Sequence, residues 1–166
     1  DITVAAGKTE TISQSVDVAN PKLWSVDSPN LYWVRTEIIQ NGKVVDRTDS
    51  RFGIRYIATN PNSGFYLNGV HTKLNGVCEH SDLGSLGMET YQAAVDRRIR
   101  TLKKYGVNAI RTSHNPVSPE FIEACDRLGM LVFEEAFDQW LYSKNSDDYH
   151  NYFNKAADGK TVVFDK

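Results

Sequence analysis

A chain of 166 residues, 40% hydrophobic and 24% charged, has room for one domain or two small ones and the composition of a globular protein. Its net charge of −2, with no basic stripe or Lys/Arg block, excludes a nucleic-acid footprint. No apolar run approaches the ~20 residues of a membrane-spanning helix, and Asp1-Ile-Thr-Val-Ala has neither the basic nor the long apolar region of a signal peptide, so none is expected there.

The first third reads as antiparallel β. Thr9 to Val18 alternates, with Ile12, Val16 and Val18 separated by polar residues, and Leu31 to Gln40 is rich in strand formers. Asn41-Gly42 predicts a type I′ hairpin, because both central residues must take positive φ. Lys43 to Arg47 returns, and Thr48 to Ile57 is expected as a last strand. About four strands are therefore predicted, where an immunoglobulin-type sandwich needs about seven. The turn-rich stretch Thr59-Asn-Pro-Asn-Ser-Gly64 marks the best boundary, giving units 1–58 and 59–166. Phe65 to Leu74 is a second Asn-Gly hairpin.

The remainder switches to strand–helix alternation. Asn75 to His80 is expected as a buried strand and Ser81 to Gly87 as a polar loop. Thr90 to Tyr105 carries an apolar stripe on Tyr91, Val95, Ile99 and Leu102, closed by Gly106. Val107 to Arg111 is a second strand. Ser118-Pro119-Glu120 presents an N-cap, a proline at N1 and a first-turn acid, opening a helix that Gly129 ends. Met130 to Glu135 is a third strand. From Asp138 the chain turns polar and aromatic, with some helix expected near Asp147 to Ala157 and a hairpin around Gly159. Helices between strands imply a parallel sheet, and ligands bind at the carboxyl rim of such sheets. Arg111, His114 and Glu135 lie at that rim.

The run Asn108-Ala-Ile-Arg111-Thr-Ser-His114-Asn-Pro116, then Asp126 and Gly129-Met-Leu-Val-Phe-Glu-Glu135, resembles the signature of glycoside hydrolase family 2, the β-galactosidases, β-glucuronidases and β-mannosidases. Asn115 stands where that signature has Tyr. The resemblance extends to Asn20-Pro-Lys-Leu-Trp-Ser25, Ser28-Pro-Asn-Leu-Tyr32, Phe52-Gly-Ile-Arg55, Gly64-Phe-Tyr-Leu-Asn-Gly69 and Asn75-Gly-Val-Cys-Glu-His80. It implies part of an Ig-like β-sandwich followed by the first three β/α units of a (β/α)8 TIM barrel. Three parallel strands cannot close a barrel, so the chain reads as a piece of a longer enzyme, and in isolation it is expected to self-associate through its open edge.

Glycoside hydrolysis needs two carboxylates, ~5–5.5 Å apart in retaining enzymes. Glu134 and Glu135 are not that pair, since successive strand residues point to opposite faces. The resemblance implies that both catalytic glutamates lie beyond Lys166, so no catalytic residue is assigned and the chain alone should be inert. It also makes Arg111 a buried guanidinium that orients the nucleophile, with Glu135 as local partner. The alternative for these two is a structural Arg–Glu pair. His80, His114 and Asn115 are expected in the sugar pocket, with Asp82 as a weaker candidate. His71 is structural. Asp138 can accept from sugar hydroxyls and Trp140 can stack on a sugar face, unless that loop packs its Trp inward. Gln139 and Leu141 stand where metal-dependent members have ligands, and Cys78, His80 and His114 fit no closed zinc spacing, so no metal and no cofactor is expected. Cys78 and Cys125 read as small buried thiols rather than a bridge, and Trp24 and Trp33 as sandwich core, the alternative for an exposed Trp there being glycan binding. The resemblance points to a retaining exo-β-glycosidase acting on terminal β-galactosides. A β-glucuronidase or β-mannosidase, or a non-catalytic carbohydrate-binding or scaffold module, are the alternatives.

Overall fold

The computed structural model describes residues 2–136; the segments from Asp138 onward, including Trp140 and the helix and hairpin expected near Asp147 and Gly159, lie outside the described residues. Strand β1 (Tyr32–Gln40) and strand β2 (Lys43–Phe52) form a long antiparallel hairpin running from Gln40↔Lys43 to Tyr32↔Phe52. Its turn is as expected, with Asn41 at φ 52° and Gly42 at φ 75°. Strands β3 (Ile57–Asn60), β4 (Gly64–Leu67) and β5 (Val70–His71) make a small antiparallel sheet, so the Thr59–Gly64 stretch is the tight connection of a hairpin.

Two expectations for this region fail. Thr9 to Val18 forms no strand, and Ile12, Val16 and Val18 are exposed. Alternation supplies a face but no ladder, and no neighbouring segment among the described residues offers the hydrogen bonds a strand requires. The return of the hairpin is a single strand to Phe52 rather than two, and it carries one irregularity: the pairs Ile39↔Val44 and Ile38↔Asp46 leave Val45 as a bulge that shifts the register set by the turn.

The second unit alternates as expected: β6 (Gly76–Glu79), α1 (Gln92–Lys104), β7 (Ala109–Thr112), α2 (Pro119–Leu128) and β8 (Leu131–Phe133). The three strands are parallel, with Val77 opposite Ile110 and Ile110 opposite Val132. Helix α2 begins as its sequence dictates. The Ser118 hydroxyl accepts from the Phe121 N–H at 3.3 Å, Pro119 fills the first turn, and Gly129 takes the left-handed conformation at the end. Val95 and Ile99 of α1, Phe121, Ala124 and Cys125 of α2, Ile110 of β7 and Met130 form the core, with Val77 and Val132 against it. One face of the sheet is thus packed on helices. An ionic clip reinforces the pair: the Asp96 carboxylate accepts from Arg127 at 2.7 Å and from Gln92 at 2.8 Å. These bonds, Arg127 first, outweigh burial and hold Asp96 below the usual carboxylate range.

Trp24 joins the two regions. It is 1% exposed, its indole N–H donates to the Asp126 carbonyl at 2.7 Å, Arg55 stacks on its ring at 4.4 Å, and Asn68 donates to its carbonyl at 2.9 Å. It is therefore a seam residue between the β-rich region and helix α2. Trp33, also expected in a core, is 66% exposed, because neither face of the two-stranded hairpin is covered by another described element. Next to Trp24, the Lys103 ammonium donates to the carbonyls of Val26 (2.6 Å), Leu128 (2.6 Å) and Gly129 (3.1 Å). Burial lowers its pKa, yet three carbonyl dipoles satisfy all three of its protons.

Candidate functional site

The face of the parallel sheet away from the helices carries the chemistry. Pairing puts Cys78 opposite Arg111 and Arg111 opposite Phe133. Side chains alternate along a strand, so Glu79 and Thr112 turn to the helix side while Cys78, Arg111 and Glu135 share the other. His80, His114 and Glu135 follow the carboxyl ends of β6, β7 and β8 in turn.

Arg111, His114 and Glu135 form one cluster. The Arg111 Nε donates to Glu135 Oε1 at 2.5 Å, and Nη2 of the same guanidinium contacts that oxygen. His114 Nδ1 lies 3.1 Å from Glu135 Oε2 and 3.3 Å from Arg111 Nη2. A carboxylate only accepts and a guanidinium only donates, so a proton on Nδ1 serves Glu135. The Glu135 backbone N–H is fixed by the buried Thr112 hydroxyl at 2.9 Å. Burial by itself would raise the Glu135 carboxyl. The hydrogen bonds from Arg111 and His114, with the charge of Arg111, outweigh it and hold the group below its ordinary range. The result is a fixed anion at the rim, oriented by two donors.

The expected residues fall into two groups. His80 packs edge-on against His114, ring centroids 5.9 Å apart, and Asn115 bridges the rim loops by donating to Ser81 Oγ at 3.3 Å. Both accompany the cluster. Asp82 does not: its carboxylate lies 3.7 Å from Arg98 of α1 and caps the Gly84 N–H, on the helix side. Glu79 also faces Arg98, at 2.7 Å. These residues, together with His80, Ser118 and Phe121, line a cavity of about 50 Å³, a volume for water rather than a sugar ring. Asp138 and Trp140 lie outside the described residues.

Two expectations are corrected. Arg111 is not buried; its side chain is 42% exposed, since nothing among the described residues covers the inner face. Cys78 is not an inert core thiol. It is exposed, and its sulfur accepts from Arg111 Nη1 at 3.6 Å. The strand period, set in register with Arg111, is the signal that identifies it. Cys125 is the buried thiol expected, pushed up to about 12 by burial. Among the described residues no group of three or more His, Cys, Asp or Glu is arranged to hold a metal ion.

A parallel sheet with helices on one face and an Arg–His–Glu cluster at its carboxyl rim defines the start of a barrel-type enzyme domain. Family comparison agrees: the model for glycosyl hydrolases family 2 matches residues 1–55, and that for the family's TIM barrel domain matches residues 59–162. The chain belongs to glycosyl hydrolases family 2. It is 44% identical over 150 residues to beta-galactosidase BoGH2A of Bacteroides ovatus, covering 90% of this chain and 18% of that protein. A family 2 member from Bacteroides cellulosilyticus superposes with a TM-score of 0.75 at 49% identity, over 81% of this chain and 17% of that one. The beta-glucuronidase of Parabacteroides merdae gives 0.69 at 31% identity, over 83% and 17%. The chain therefore spans less than a fifth of the length of these relatives.

Proposed function

We propose that this chain is the part of a retaining exo-β-glycosidase that carries the end of the sandwich (1–58) and the first three β/α units of the barrel (59–166), and that the whole enzyme hydrolyses terminal β-galactosides. The observation that carries this reading is the convergence of Arg111, His114 and Glu135 at the carboxyl rim, on the face that a closed barrel turns to its axis. In it, Arg111 and Glu135 are positioning residues, and His80, His114 and Asn115 line the sugar pocket. Asp138 and Trp140 extend that pocket, and Asp82 shapes the loop through Arg98. The acid/base and nucleophile glutamates come from beyond Lys166.

Two relatives support different sugars, one a beta-galactosidase and one a beta-glucuronidase. A glucuronide brings a second carboxylate that needs its own cation. The rim guanidinium is already matched by Glu135, which favours the neutral galactoside. The purified 166-residue chain is expected to release no nitrophenol from an aryl β-galactoside, while the whole enzyme does so and prefers it to the aryl β-glucuronide. Turnover by the short chain would refute the placement of the catalytic acids, and glucuronide preference would refute the sugar. The outer strands β6 and β8 each have one neighbour, and Phe133 on the open face is 69% exposed. The short chain should therefore self-associate, with a mass by light scattering that rises with concentration. A constant monomer mass would count against an open edge.

A further inference from the structure

Arg98 lies on the helix side of the sheet, away from the rim cluster, yet it grips the chain on both sides of a pocket residue. Its Nη1 donates to Glu79 Oε2 at 2.7 Å, and its Nη2 lies 3.7 Å from Asp82 Oδ1. Glu79 is the last residue of β6, and His80 follows it. Strand alternation turns Glu79 toward α1 and leaves His80 on the other side, edge-on to the His114 ring. The chain then bends at once, the Asp82 N–H donating to the His80 carbonyl at 2.7 Å. One guanidinium on a packed helix thus holds residues 79 and 82, with the His80 turn between them.

We propose that Arg98 is a positioning residue, which fixes the β6–α1 turn through Glu79 and Asp82 and so sets where His80 stands in the sugar pocket. This rests on the placement of His80 in that pocket and is independent of which sugar is bound. The Arg98 and Glu79 side chains are 24% and 19% exposed. Water and salt compete weakly for such a pair, so it holds its geometry better than a surface pair does. The helix that carries it is anchored, since Val95, one turn earlier, and Ile99, the next residue, are buried in the core. Packing alone does not fix the turn, because a cavity of about 50 Å³ lies against Glu79, His80 and Arg98. Once the pair is broken, the turn has space to settle into, and His80 moves with it. All of these contacts are made within the chain by β6, α1 and the turn between them, so the rest of the enzyme is not needed to form them.

The test is a double-mutant cycle in the whole enzyme, with kcat and KM measured on the aryl β-glycoside that it turns over fastest. Arg98→Met should lower kcat/KM about tenfold, short of the roughly hundredfold loss from a full ångström of misplacement, because one of several rim side chains is displaced. The loss should fall in the same constant, kcat or KM, as the loss in His80→Ala. Because Arg98 acts through His80, the variant carrying both changes should be no slower than His80→Ala alone. Glu79→Gln should behave as Arg98→Met does, and Arg98→Lys, which keeps a cation for Glu79, should recover most of the rate. Arg127→Met is the control. It breaks a second 2.7 Å ion pair, between α2 and Asp96 of α1, and should lower the unfolding midpoint while leaving kcat/KM at wild type. Losses in Arg98→Met and His80→Ala that multiply, an equal loss in Arg127→Met, or a normal rate in Arg98→Met with His80→Ala impaired would each overturn this inference alone. A normal rate in His80→Ala would remove His80 from the pocket, and the role of Arg98 with it. Should Arg98→Met fail to fold, Glu79→Gln, which keeps the shape of the side chain, decides through the same cycle.

Discussion

Arg111→Ala in the whole enzyme is expected to lower kcat/KM on an aryl β-galactoside about a hundredfold, the loss typical of misplacing a site by about an ångström. Three nitrogens of one planar group reach three partners: Nε to Glu135, Nη1 to Cys78 and Nη2 toward His114. Removing the guanidinium takes away the donors to Glu135 Oε1 and leaves the carboxylate to its contact with His114. Arg111→Lys should restore little, since an ammonium is a point charge and cannot span that fork. The pH profile separates positioning from mere structural loss. With Arg111 present the Glu135 carboxyl is held low; without it, burial, which raises the carboxyl, loses its main opponent and His114 remains to oppose it, so the carboxyl moves up. The acid limb of the rate profile should therefore move to higher pH in Arg111→Ala, with activity recovering as pH rises. An unshifted limb, or a lysine variant near wild type, would remove Arg111 from the positioning role.

The family signature divides physically into rim residues and packing residues, and this explains what could be read in advance. Arg111, His114 and Glu135 were legible because strand alternation and parallel order place them at one edge without further information. Asn108, in the same signature, works at the opposite end. Its side chain donates to the Lys73 carbonyl and accepts from the Asn75 N–H, both at 2.8 Å, pinning the hairpin beneath the sheet. Asp126 meets Arg55 and, through its carbonyl, Trp24. The helical half was legible because stripe, cap and terminal glycine agree locally in α2. The first 31 residues were not, because a sandwich strand is defined by partners far away in sequence, and alternation at Ile12 and Val16 names no partner. Cys78 was misread for a related reason. Cysteine is usually core, and only its pairing with Arg111, a contact 33 residues distant, turns it outward. Asp82 was drawn into the pocket by its position in the loop, where Arg98 of α1 claims the carboxylate instead.

Gly129→Ala is the most damaging single methyl expected in this chain, and Gly106→Ala is its control. Both glycines follow helices with positive φ, 75° and 82°. Each substitution therefore forces alanine into the left-handed region, at about 1–2 kcal/mol. Around Gly106 an added Cβ meets nothing within 4 Å. At Gly129 it collides with the Val26 carbonyl oxygen and comes within 2.9 Å of the Lys103 Nζ. Backbone cannot swing aside as a flexible side chain can. Relief requires the turn at Val26 to lift from α2, which breaks the 2.6 Å bond from Lys103 and draws Trp24 away from the Asp126 carbonyl. Overpacking of this kind adds about 1–3 kcal/mol, a large share of the ~5–15 kcal/mol that holds a domain together. Urea unfolding followed by Trp24 fluorescence, with Trp33 and Trp140 replaced by Phe in both variants, should show a much lower midpoint for Gly129→Ala than for Gly106→Ala, and a more solvent-exposed indole before the transition begins. Equal midpoints would mean that the Val26 turn does not rest on the end of α2, and that the two halves of this chain are not locked together at Trp24.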